Sequence, residues 1–236
     1  MSRPLFVSGD GTPLLDPKDV IPLLAKETHW REGRSAYEAA NSWFDANGIP
    51  PSVFGVMSTD PILGGAELVK AIFEKQTPLD EYGRPSQTDV LGLLRTRDGT
   101  SAVIAIEVKV DETFGPTVSE WSDNGSAGKR ARLAKLADRL RLDPTALAPL
   151  RYQLLHRTVA TLIEADKAGA NDAALIVQSF SPPTVRAGFV DFCTFASVIG
   201  APIHAPGELS APVERSGIRL RLGWAQDHVR SEQGSA

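Results

Sequence analysis

Cysteine is almost missing from this chain: among 236 residues there is one, Cys193. A disulfide framework within the chain is excluded, and so is a cysteine-rich zinc site. The surrounding "VDFCTF" predicts a small buried apolar residue rather than a reactive thiol. An excess of positive charge is missing too. Lys and Arg number 25 against 29 Asp and Glu, for a net charge of −4 and a pI near 5.6. A protein that coats nucleic acid by bulk charge is basic, so any nucleic-acid contact here has to be local. Long apolar runs are also absent. The opening "MSRPLFVSGDGTPLLD" has none long enough for a signal peptide, and no stretch reaches the length of a transmembrane helix. The expectation is a soluble cytoplasmic protein with no membrane partner. There is no internal repeat and no low-complexity segment.

What remains is an ordinary globular composition, 42% hydrophobic and 23% charged, in a chain long enough to bury a core and short enough for one domain, residues 1–236. The first 28 residues are broken up by Pro, Gly and Asp. A helix is predicted after Ser35, where "SAYE" reads as a capping box, Ser35 the N-cap and Glu38 its partner. Gly48, Pro50 and Pro51 end it. "PSVFGVM" reads as a short strand and "GAELVKAIFEK" as a short helix. "TDVLGLLRTRDGTSAVIAIEVKV" is a hairpin, two apolar runs flanking "RDGT". "SAGKRARLAKLADRLRL" and "PLRYQLLHRTVATLIEADK" are amphipathic helices. "AALIVQSF" is a buried strand, "AGFVDFCTFASVIG" a helix and "GIRLRLGW" a late strand. The tail "VRSEQGSA" reads as frayed. This order implies an α/β fold with a mixed central sheet flanked by helices.

The second hairpin strand changes character at its end. After Ala102–Ile106 come Glu107 and Lys109, which project from one face because strand side chains alternate. Asp89 stands at the outer end of the first strand. A two-residue turn at Asp98-Gly99 puts Asp89 opposite Val108, on the wrong face. A loop of Arg97, Asp98 and Gly99, with Gly99 left-handed, pairs Thr96 with Thr100 and Asp89 with Glu107. Two adjacent carboxylates repel unless a cation lies between them. Hard oxygen ligands at an open site suit Mg²⁺ or Mn²⁺, which polarises a phosphoryl oxygen and acidifies a bound water. A lysine alongside positions that water or neutralises developing charge. The competing reading is a solvated sheet end with a surface salt bridge.

"SQTDV" followed by "IEVKV" resembles the Asp…Glu-x-Lys signature of the PD-(D/E)XK nuclease superfamily. "HWREGRSAYEAANSW", "EVKVDETFGPTVSEW" and "RYQLLHRT" also resemble an uncharacterised bacterial family that groups with these nucleases. The resemblance runs from about His29 to about Trp224. It implies a restriction-endonuclease-like α-β-β-β-α-β core over about 29–200 and a C-terminal extension over about 201–236. It also implies metal ligation by Asp89, Glu107 and the carbonyl of Val108, with Lys109 handling the attacking water. Glu38 is the candidate extra carboxylate from the first helix, beside its capping role. Gln153 is the candidate glutamine from the helix after the third strand, with His156 and Arg157 on a neighbouring face. The implied activity is Mg²⁺- or Mn²⁺-dependent hydrolysis of nucleic acid, DNA or RNA. The alternative is a nuclease-fold module that binds or regulates without cutting. Arg132, Lys135 and Arg139, spaced along one flank of the basic helix, are candidates for the nucleic-acid backbone or for a solvated face. Trp121 and Phe114 are candidates for stacking on a base, or for packing under the loop. Asp111 and Glu112 are candidates for the rim of the site. The oligomeric state is open, a homodimer included.

Overall fold

The apolar run Ala102–Ile106 lies at the centre of a seven-stranded mixed sheet. The computed structural model describes residues 5–81, 83–123, 125–182 and 187–229. Its strands are β1 (Leu5–Ser8), β2 (Glu67–Thr77), β3 (Ser86–Arg95), β4 (Ser101–Lys109), β5 (Asp172–Ser179), β6 (Val213–Arg215) and β7 (Ile218–Gln226). They lie in the order β1-β2-β3-β4-β5-β7-β6. β2, β3 and β4 form an antiparallel meander, β4, β5 and β7 run parallel, and β1 lies parallel to β2. β4 and β5 are buried along nearly their whole length. Strands covered on both faces read as unbroken apolar runs rather than as alternation.

Helices cover both faces. α1 (Ser35–Ala46) and α2 (Pro51–Met57) pack Trp43, Val53 and Met57 against Ile104, Ile106 and Ile176. α3 (Val118–Ser122), α4 (Ala127–Leu140), α5 (Tyr152–Lys167) and α6 (Ala187–Ile199) lie on the other face, where Leu155, Val159 and Phe192 meet Val103, Leu175 and Leu220. The expected α/β class and the order α-β-β-β-α-β are present, as α1, β2, β3, β4, α5 and β5. No helix among the described residues is long and apolar enough to cross a membrane.

The hairpin loop has the odd length that sets the site. Thr96 N–H donates to Thr100 O at 3.0 Å, Arg95 pairs with Ser101, and Gly99 has φ +83°. The ladder continues to Val90 opposite Ile106, so the next position inward to the site sets Asp89 across from Glu107.

Several expectations are corrected. "PSVFGVM" forms α2, not a strand: Pro51 suits a first helical turn, and Val53, Val56 and Met57 bury one helical stripe. "GAELVKAIFEK" lies in strand β2, not a helix, because pairing to β1 and β3 outweighs its local pattern. Arg34, not Ser35, is the N-cap of α1, and no capping box forms. Cys193 is half-buried rather than buried. The C-terminal part is no appendage: β7 inserts beside β5 and buries Leu220 and Leu222 in the core. The tail from residue 230 lies outside the described residues.

Candidate functional site

Asp89, Glu107 and Lys109 meet where the meander ends, toward the C-terminal ends of β4 and β5. Beyond Ile106 the ladder gives way to a side-chain bond: Asp89 Oδ2 accepts from the Val108 N–H at 2.6 Å. Val108 therefore contributes its N–H to the site. Glu107 is 2% exposed and fully engaged. Its Oε1 takes Lys109 Nζ at 2.9 Å and Gln153 Nε2 at 2.6 Å, and its Oε2 takes Arg157 Nε. Lys109 Nζ also donates to Gln153 Oε1 at 3.1 Å and lies 5.1 Å from the centre of the Phe114 ring. Lys109, Glu107 and Gln153 thus close a triangle, and α5 supplies both Gln153 and Arg157 from neighbouring turns.

The charges shape one another. Burial raises the Glu107 carboxyl, but Arg157 and then Lys109 outweigh it and hold it well below the usual carboxylate range. Asp89 moves the other way. Burial, Glu107 and Glu74 raise it well above that range, with Arg157 and the Val108 N–H opposing. The two neighbouring carboxyls are thus displaced in opposite directions by their surroundings.

A cavity of about 670 Å³ opens over Asp89. Glu74, Gln87, Glu112 and Arg157 line it with Asp89, and His29 and Arg34 belong to the wall before α1. Of the two rim candidates, Glu112 lines this cavity and Asp111 does not. Glu74 was not legible as a site residue, because its segment reads as a helix. It falls between the pairs Phe73–Val90 and Lys75–Thr88, so it stands opposite Asp89 in β2 with a left-handed backbone, φ +53°. Burial raises its carboxyl, while Gln87 Nε2 donates to it. The signal that could have found it is the β-branched and aromatic content of "LVKAIF" before a Pro- and Gly-rich turn.

The other candidates are placed as follows. Glu38 is buried and accepts from the Gly33 N–H at 2.9 Å, bracing the entry to α1, and it does not line the cavity. His156 Nδ1 lies 2.9 Å from Ser86 Oγ, and burial lowers its imidazole to about 3. Ser86 Oγ accepts from Arg157 Nη1 at 3.1 Å, so its own proton goes to a neutral His156. His156 is thus a brace for Arg157, not a cation facing phosphate. On the basic flank of α4, none of Arg132, Lys135 and Arg139 lines this cavity. Arg132 is tied to Asp80 and to Arg84 O, Arg139 lies 3.7 Å from Asp166, and Lys135 is exposed elsewhere. Trp121 stacks on Tyr152 at 3.8 Å and Phe114 is in the core, so both pack rather than wait for a base.

Among the described residues no three His, Cys, Asp or Glu side chains are grouped to hold a metal. The donor set is two carboxylates. That fits a hard cation keeping most of its waters, such as Mg²⁺, on the condition that Glu107 Oε2 leaves Arg157.

A mixed sheet with a cavity beside its central carboxylates defines an α/β protein with an acidic site backed by two cations. The chain belongs to the family described as "domain of unknown function (DUF6946)", whose model matches residues 13–229. No curated protein and no solved structure matches it.

Proposed function

We propose that the protein is a metal-dependent phosphodiester hydrolase acting on nucleic acid. The observation that carries this is the strand register that sets Asp89 across from Glu107, with Lys109 bonded to Glu107, and Asp89 and Arg157 lining a cavity large enough for a nucleotide unit. The α-β-β-β-α-β order and the likeness to PD-(D/E)XK nucleases support the same reading. Asp89 and Glu107 would hold Mg²⁺ or Mn²⁺, which supplies Lewis-acid activation of the phosphodiester and its attacking water. Lys109 Nζ, fixed by Glu107 and Gln153, orients that water or meets the negative charge that grows on the phosphate oxygens. The Phe114 ring and the buried backbone keep the ammonium from swinging away.

The test is cleavage of plasmid, single-stranded DNA and RNA with Mg²⁺ or Mn²⁺ by the natural chain and by Lys109→Ala. Expected is cation-dependent cutting that falls at least a hundredfold in the variant. Equal cutting by both proteins overturns the mechanism.

One observation favours a second reading, a binding module that does not cut. Both oxygens of Glu107 already have partners. In that case nucleic acid binds with or without divalent cation, and Mn²⁺ does not bind the chain at millimolar concentration.

A further inference from the structure

We infer that Arg157 couples the two ligands of this site: a phosphate group entering the cavity draws its guanidinium off Glu107, and the freed carboxylate oxygen takes the divalent cation. The inference rests on the hydrolase reading and adds an order to it, anion and cation together rather than either alone.

Arg157 holds the Glu107 oxygen that a metal would need. Its Nε donates to Glu107 Oε2, and its charge also acts on Asp89 and Glu74. It is 9% exposed, yet it lines the cavity with Asp89. Nη1 is held by Ser86, while Nη2 makes no hydrogen bond among the described residues. An arginine buried to this degree normally uses its whole fork. The open Nη2 is a ready donor for a phosphate oxygen, and the planar fork suits a bidentate grip.

The charges make the coupling reciprocal. A free cation must compete with a tethered guanidinium for Glu107, and tethering gives Arg157 a high effective concentration there. A free phosphate meets Glu74, Asp89 and Glu112 along with Arg157. When both arrive, the phosphate compensates Arg157 and the cation compensates the carboxylates. Each ligand then raises the affinity of the other by the same factor. Neighbouring groups permit the shift. Ser86 and neutral His156 hold Nη1 without charge, and Lys109 and Gln153 stay on the other oxygen of Glu107.

The experiment measures Mn²⁺ binding by electron paramagnetic resonance, on the whole chain and on Arg157→Leu and Arg157→Lys. Circular dichroism checks that each variant is folded. Without any anion, Arg157→Leu is expected to bind Mn²⁺ about tenfold more tightly than the natural chain, and Arg157→Lys to fall between them. A fluorescent single-stranded phosphorothioate oligonucleotide then probes the reverse direction by anisotropy. Mn²⁺ should tighten its binding about tenfold in the natural chain and leave Arg157→Leu unchanged. Where the leucine variant does not fold, the lysine variant carries both measurements. Equal Mn²⁺ affinity in all proteins overturns the coupling and leaves the hydrolase reading standing. No Mn²⁺ binding by any of them overturns both.

Discussion

The carboxylate of Asp89 accepts a 2.6 Å hydrogen bond from the backbone N–H of Val108, the residue between Glu107 and Lys109. This bond replaces the ladder where the hairpin ends. It fixes the Asp89 carboxylate on the strand that carries Glu107, whose charge acts on it. Burial first, and then repulsion from Glu107 and Glu74, raises Asp89 above the usual range.

Asp89→Asn should therefore separate stability from function. The amide oxygen still accepts from Val108, and the repulsion from Glu107 and Glu74 is gone. The variant is expected to gain about 1 kcal/mol in urea unfolding with chelator present, and to lose Mn²⁺ binding and cleavage. A destabilised variant would contradict the account of repulsion.

Glu107→Gln acts in the opposite sense. Arg157 is buried and loses its hydrogen-bonded counter-charge, and Lys109 loses its own. Removing one partner of a buried pair leaves an uncompensated charge, so a loss of about 3 kcal/mol is expected in the same unfolding assay. Glu107→Gln with Arg157→Leu should recover part of that loss.

His156 sets an acid limit. Its affinity is lowered to about 3 in the fold, from an ordinary value near 6.5. Between those values the unfolded chain binds the proton and the folded chain does not. Stability is thus fully present above about pH 6.5 and declines as pH falls toward 3. At pH 5 the loss from this group is about 1–2 kcal/mol. Thermal unfolding at pH 7 and pH 5 checks it: His156→Gln should narrow the difference between the two melting temperatures.

The hairpin loop gives a control away from the chemistry. Gly99 has φ +83°, with open space around its Cα, so Gly99→Ala meets backbone strain and no clash. The expected loss is about 1 kcal/mol with Mn²⁺ binding unchanged. Deleting Asp98 shortens the loop by one residue and shifts the register, moving Asp89 to the other face. That variant should lose Mn²⁺ binding even where circular dichroism shows a folded chain.

Legibility followed sequence distance. The hairpin and the shared face of Glu107 and Lys109 could be read from a two-residue period, and the face of Asp89 reduced to the choice between two loop lengths. α4, α5 and α6 were legible from their spacing. "GAELVKAIFEK" was not, because its apolar positions satisfy both periods, and only pairing with β1 and β3 selects the strand. Glu74 was lost with it. The α4 arginine stripe looked available for phosphate, but Arg132 is tied to Asp80, a partner 52 residues away.

The sequence by itself determined that Glu107 and Lys109 share a face, and it narrowed Asp89 to two registers, of which the structure takes the one with a three-residue loop. Those relations are local, set by strand alternation and a glycine-closed loop. The tertiary structure decided what surrounds them. It laid α5 across the meander so that Gln153 and Arg157 reach Glu107, set Glu74 opposite Asp89, and walled the cavity with the segment before α1. These contacts join residues dozens of positions apart, and only packing of both sheet faces brings them together.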